Sequence, residues 1–112
     1  MKQLLITFLF VAAVLGCQKN ATDDPTPVAS FKITNTVEQG TVMEATAVEF
    51  ENNSRDADSY EWDFGNGTVS TERIPRNVIF RQCPRDEQIR LTVRTRRGRS
   101  ATVIQTIRVR CR

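Results

Sequence analysis

The 112-residue chain has no histidine. That excludes Ser-His-Asp and Cys-His catalysis and every His-ligated metal site. It has one tryptophan and one tyrosine, so any large aromatic core must be built around very few positions. No apolar run reaches the ~20 residues needed to cross a bilayer; the longest, residues 4–15, is interrupted by Thr7. Positive charge is nearly missing from residues 17–72, which hold Lys19, Lys32 and Arg55 against eleven acids. Acids are nearly missing from residues 73–112, where twelve arginines face only Asp86 and Glu87. The net charge of +3 and the isoelectric point near 9.1 conceal this asymmetry. A basic isoelectric point raises nucleic acid as a partner, but the amino-terminal segment points elsewhere, and no nucleic-acid role is assigned.

Met1-Lys2 followed by a short apolar run describes a secretory leader rather than a membrane span. The run ends in Val14-Leu15-Gly16-Cys17, which looks like a bacterial lipobox. That resemblance implies cleavage before Cys17 and acylation of its thiol, and usually of its new amino terminus. Two or three acyl chains exceed what stable anchoring needs. The alternative is an ordinary leader with an incidental cysteine. Residues 1–16 are therefore expected to be a lipoprotein signal peptide, and residues 17–27 a flexible polar tether carrying two prolines. Gln18 after the cysteine implies the outer membrane under the enterobacterial sorting rule. Lys19 with Asp23-Asp24 is similar to surface-export signals of Bacteroidota lipoproteins. The expected address is the bacterial cell envelope.

From residue 28 the pattern is all-β. Ala29, Phe31 and Ile33 alternate. Val48 and Phe50 alternate with Glu49 and Glu51 over residues 46–51. Tyr60, Trp62 and Phe64 alternate with Glu61 and Asp63, and Gly65-Asn66-Gly67 supplies a turn. Further short strands are expected at residues 68–70 and 77–80. Ile89, Leu91 and Val93 point inward over residues 88–95, and Arg96-Arg97-Gly98-Arg99 turns the chain. Residues 101–110 return with Ile107 and Val109 inward, while Val103 and Ile104 compete for the core. No helix is expected.

Ser59-Tyr60-Glu61-Trp62-Asp63-Phe64-Gly65-Asn66-Gly67 resembles the SYxWDFGDG signature of PKD (polycystic-kidney-disease) domains, with Asn66 in place of the final Asp. Val48-Glu49-Phe50-Glu51-Asn52-Asn53-Ser54 is similar to the VxFxNxS stretch that precedes it in that family. The resemblance implies an immunoglobulin-like, antiparallel β-sandwich of about seven strands over residues 28–112. The chain departs from the family before residue 88, where a Gly-x-Tyr approach is usual and Arg85-Asp86-Glu87 stands instead.

That corner needs another support. Folding about a 96–99 tip places Arg85 opposite Cys111, with Cys83 a small shift away. If Cys17 is consumed by lipid, Cys83 and Cys111 remain as an even pair in an oxidising compartment, so a disulfide is expected; free thiols are the alternative.

Asp56, Asp58 and Asp63 are weighed as glycosidase carboxylates, which work ~5–10 Å apart in a cleft. Solvated or turn-bonding carboxylates are the simpler reading, and no catalytic residue is assigned. Asn52, Asn53, Asp56, Asp58 and Asn66 offer oxygen donors expected near one end of the sandwich, without the spacing of an EF-hand. Asx-turn bonding is their alternative, and no metal or cofactor is assigned. In PKD sandwiches the tryptophan strand and the last two strands share a sheet. The resemblance thus implies an outer face bearing Arg90, Arg94, Arg108 and Arg110 beside Glu61 and Asp63. Arginine forks suit carboxylates and phosphates, so acidic glycans, lipopolysaccharide or an acidic protein are candidate ligands. Cross-strand Glu–Arg pairing that merely solubilises the sheet is the competing reading. PKD domains usually serve as spacers or as protein- or carbohydrate-interaction modules. The expectation is a non-enzymatic, lipid-anchored binding or assembly module; a purely structural envelope protein is the alternative.

Overall fold

Alternation carries through to the strands. The computed structural model describes residues 24–112, so the expected leader, Cys17 and most of the tether lie outside the described residues. Nine strands follow in chain order: β1 (Phe31–Ile33), β2 (Thr41–Met43), β3 (Ala47–Val48), β4 (Phe50–Asn52), β5 (Ser59–Asp63), β6 (Val69–Ser70), β7 (Val78–Ile79), β8 (Arg85–Arg94) and β9 (Ser100–Arg110). No helix occurs among the described residues.

One sheet has five strands in the order β2-β9-β8-β5-β6. β2 runs parallel to β9, whereas the expected sandwich is purely antiparallel. The opposite layer consists of β1 paired with β4 and β3 paired with β7. The stretch expected as one strand over residues 46–51 is divided between these pairs: Val48 lies opposite Val78, and Phe50 opposite Ile33. Asn35 marks the change of partner. Its amide donates to the Ala47 carbonyl, and its side-chain oxygen accepts the Glu49 N–H, each at 2.9 Å.

The core gathers where the two layers meet. Trp62 is fully buried, and its ring centroid lies 5.1 Å from those of both Phe31 and Phe50. Its indole N–H donates to the Glu72 carbonyl at 2.9 Å, so the polar handle of the largest side chain is satisfied inside the core. Ile89, Leu91, Val93 and Val109 complete the inner face of the large sheet. Val103 packs against this core and Ile104 is exposed, which decides their competition. Gly65 closes the tryptophan strand at φ +78°, where a Cβ would lie 2.9 Å from the Gln88 carbonyl oxygen. Both backbone and space therefore require glycine.

β8 starts three residues earlier than the alternation suggests, and its register with β9 differs by two. Arg85 faces Val109, not Cys111. Continuing that register puts Cys83 directly opposite Cys111, and the two are joined in a disulfide with Cα atoms 5.3 Å apart. The irregular strand approach thus needs no shift to make the bond. At the same corner Glu87 turns inward and is only 6% exposed, held by the Arg85 guanidinium at 3.2 Å.

The other end of the hairpin holds the chain's first described residues. Arg99 donates to the Asp24 carbonyl at 2.6 Å and to the Thr26 hydroxyl at 3.1 Å, and Pro27 is buried. Four residues of the expected tether therefore belong to the fold.

Candidate outer sheet face

Because β5, β8 and β9 are neighbours in register, their outward side chains form rows across the sheet. One row reads Val69, Asp63, Arg90, Ile104, from β6 through β5 and β8 to β9. The next outward positions are Glu61 and Thr92, then Ser59 and Arg94. The four expected arginines all lie on the outer face, and each meets an acid. Arg90 reaches Asp63 at 3.4 Å, Arg94 reaches Glu61 at 2.8 Å, Arg108 reaches Asp86 at 2.9 Å and Arg110 reaches Glu38 at 3.7 Å. All eight side chains keep roughly half their surface in water, so each pair contributes at most ~1 kcal/mol.

The sequence suggests more arginines than nearby acids here. Two acids overturn that expectation. Asp86 comes from the early start of β8, directly opposite Arg108. Glu38 comes from the turn before β2, which the parallel pairing brings alongside the end of β9. Asp86 leaves a weak signal, because residues 86, 88 and 90 continue the outward set of β8, but the run of charge over 85–87 masks it; the β2 pairing has no local signal. Two apolar members also escape a reading focused on charge: Val69 at 71% and Ile104 at 53% exposure. Each flanks a shallow hollow beside the Asp63–Arg90 pair.

The other candidate groups do not assemble. Five residue steps along β5 separate Asp58 from Asp63, roughly 17 Å at ~3.3 Å per residue, too far for a glycosidase pair. The Asp58 carboxylate accepts the Arg96 backbone N–H at 2.7 Å. Asp56 and Asp58 lie with the hairpin tip, while Asn66 sits at the opposite end of β5, beside the 80–87 corner. The oxygen donors are thus not at one end, as expected. Several serve turns instead: Asn52 accepts from Ser54 N–H at 2.9 Å, and Asn66 from Thr68 N–H at 3.1 Å. Among the described residues, one group of three side chains has metal-ligand proximity, Glu44 with Cys83 and Cys111. Its sulfurs are committed to the disulfide.

With this arrangement of strands, the chain resembles solved domains in fold. The PKD1 domain of the Vibrio cholerae metalloprotease PrtV is 35% identical and superposes with a TM-score of 0.59, covering 76% of this chain and 98% of that one. The chain belongs to the PKD family. The PKD1 domain of Vibrio anguillarum Epp is 28% identical, with a TM-score of 0.58, over 80% of this chain and 99% of that one. A carbohydrate-binding module of the β-sandwich superfamily is 26% identical, with a TM-score of 0.65, over 79% of this chain and 36% of that one. Among curated proteins, the pre-pro-metalloprotease PrtV of Vibrio cholerae serotype O1 is 35% identical over 100 residues, 86% of this chain. The chain spans about a tenth of that relative's length. No protein-family profile matches. The PKD resemblance at residues 59–67 therefore identifies the family, although Asn66 and the Arg85-Asp86-Glu87 approach depart from its pattern.

Proposed function

We propose that this PKD domain is a non-catalytic docking module, anchored by lipid at Cys17 to a bacterial outer membrane, which engages a partner protein through the outer face of its five-stranded sheet. The observation that carries this reading is the composition of that face. It carries four arginines, each paired with one acid, and two exposed aliphatic side chains among them. Such a mixture suits a protein surface better than a polyanion, because Glu61 and Asp63 would repel acidic glycans and phosphates.

Likeness to a carbohydrate-binding module raises sugars as a second class of ligand. Against it, every aromatic ring among the described residues is buried or half-buried, which leaves no exposed ring to stack on a sugar. The spacer reading draws support from the ion pairs themselves, since each arginine already has an internal partner. Reversing Arg94→Glu with Arg108→Glu separates these readings. Capture of the cross-linked partner from intact envelopes should be lost, with a stability cost of no more than about 2 kcal/mol from two exposed pairs. Unchanged capture would leave the face a solvated surface and favour the spacer.

The anchoring half rests on Leu15-Gly16-Cys17 and has its own test. Cys17→Ser should accumulate unprocessed precursor that incorporates no labelled palmitate. Label persisting in that variant would place the acyl chain on another residue and overturn anchoring at Cys17.

A further inference from the structure

The middle row of the outer face has an order that becomes its own complement after a half-turn. From β6 to β9 it is apolar, acidic, basic, apolar: Val69, Asp63, Arg90, Ile104. The positions beside it keep the same division, with acidic Glu61 on β5 and basic Arg94 on β8. A polyanion laid on this face would meet the β5 acids, and a polycation would meet the β8 arginines. The surface that fits carries the opposite order on two adjacent strands. A second copy of the same face supplies it when rotated by half a turn about an axis that runs along the strands between β5 and β8.

In that arrangement Asp63 faces Arg90 of the second copy, and Arg90 faces its Asp63. Val69 meets the other Ile104, and Ile104 meets the other Val69. Neighbouring strands are evenly spaced at ~4.8 Å, so all four contacts come into register together. The hollows agree with this. One lies among Glu61, Asp63, Val69, Arg90, Thr92 and Arg94, and the other among Asp63, Gly65, Gln88, Arg90 and Ile104. Each copy presents an aliphatic side chain at the rim of the hollow that its partner must cover. Strands of the two faces would run nearly aligned, as packed sheets do, and the contact is isologous, as in most homodimers.

We infer that the outer sheet face is a contact between two copies of this chain. The inference deepens the docking role proposed above and rests on it. The charged groups at its centre are half-exposed and already paired within each copy, so the pair is a weak one that forms where the protein is concentrated.

The test uses full-length chains in cells. Val69→Cys and Ile104→Cys are expressed singly and together, then treated with a short bis-maleimide. The half-turn brings Val69 to Ile104 but keeps each residue away from its own counterpart. Cells holding both variants should therefore yield at least tenfold more covalent dimer than cells holding either alone. Equal yields in all three would overturn the inference. Charge exchange supplies an independent check: Arg90→Asp should abolish the mixed cross-link, and Arg90→Asp combined with Asp63→Arg should restore it. Loss without restoration would also overturn it. If mixed cells give no dimer while Arg94→Glu with Arg108→Glu still loses a captured partner, the face binds another protein and only this inference fails. If the dimer forms and that capture is unaffected, self-association stands and the docking of a different partner falls.

Discussion

Trp62→Ala should destabilise the domain by about 3–5 kcal/mol, the range for deleting a large buried aromatic. Trp62 is fully buried and touches rings from both layers, Phe31 and Phe50 across the sandwich and Phe64 beside it at 6.0 Å. Its removal would also leave the Glu72 carbonyl without the indole N–H. A domain of this size has a total stability of roughly 5–10 kcal/mol, so the variant should lose about a third of it or more. The measurement is the midpoint of chemical unfolding followed by circular dichroism. A midpoint within error of the parent's would contradict the central place of this ring. Trp62→Phe should recover part of the loss, because it restores most of the apolar volume but not the hydrogen bond.

The second large effect is expected at Cys83 and Cys111. Their bond closes a loop with a sequence separation of 28, for which the chain-entropy relation gives roughly 3.6 kcal/mol. Replacing both with serine should cost about 2–4 kcal/mol, and reduction of the parent should lower its unfolding midpoint similarly. The double-serine variant should be insensitive to reductant. If reduction leaves the parent's midpoint unchanged, the bond contributes nothing to stability. The magnitude is large for so small a domain, whose core alone supplies little surplus.

Much of this fold was legible because buried and exposed positions alternate so regularly. Tyr60, Trp62 and Phe64, and then Ile89, Leu91 and Val93, gave the inner faces of β5 and β8 without reference to anything distant. Alternation over residues 46–51 predicts one strand because it does not report a change of partner; Asn35, 12 and 14 positions before the residues it bonds, makes that change. The start of β8 was hidden by charge, since Arg85, Asp86 and Glu87 look like a loop and Glu87 points inward only because Arg85 accompanies it. Period two alone places the arginines of the candidate face. Period two does not place all their acids, because Glu38 arrives through a parallel pairing that local sequence does not encode.

The hairpin of β8 and β9 is closed at both ends, by the 95–99 turn and by the Cys83–Cys111 bond. It is thus a covalent ring, and its ladder cannot slide. A slip of two residues would preserve the inward set of both strands, so burial alone offers only weak protection against it. Such a slip would move Ile104 away from Arg90 and Arg108 away from Asp86, and the pattern on the outer face would lose its phase. Oxidation of two cysteines at one edge therefore fixes the alignment of side chains across a surface that neither sulfur touches.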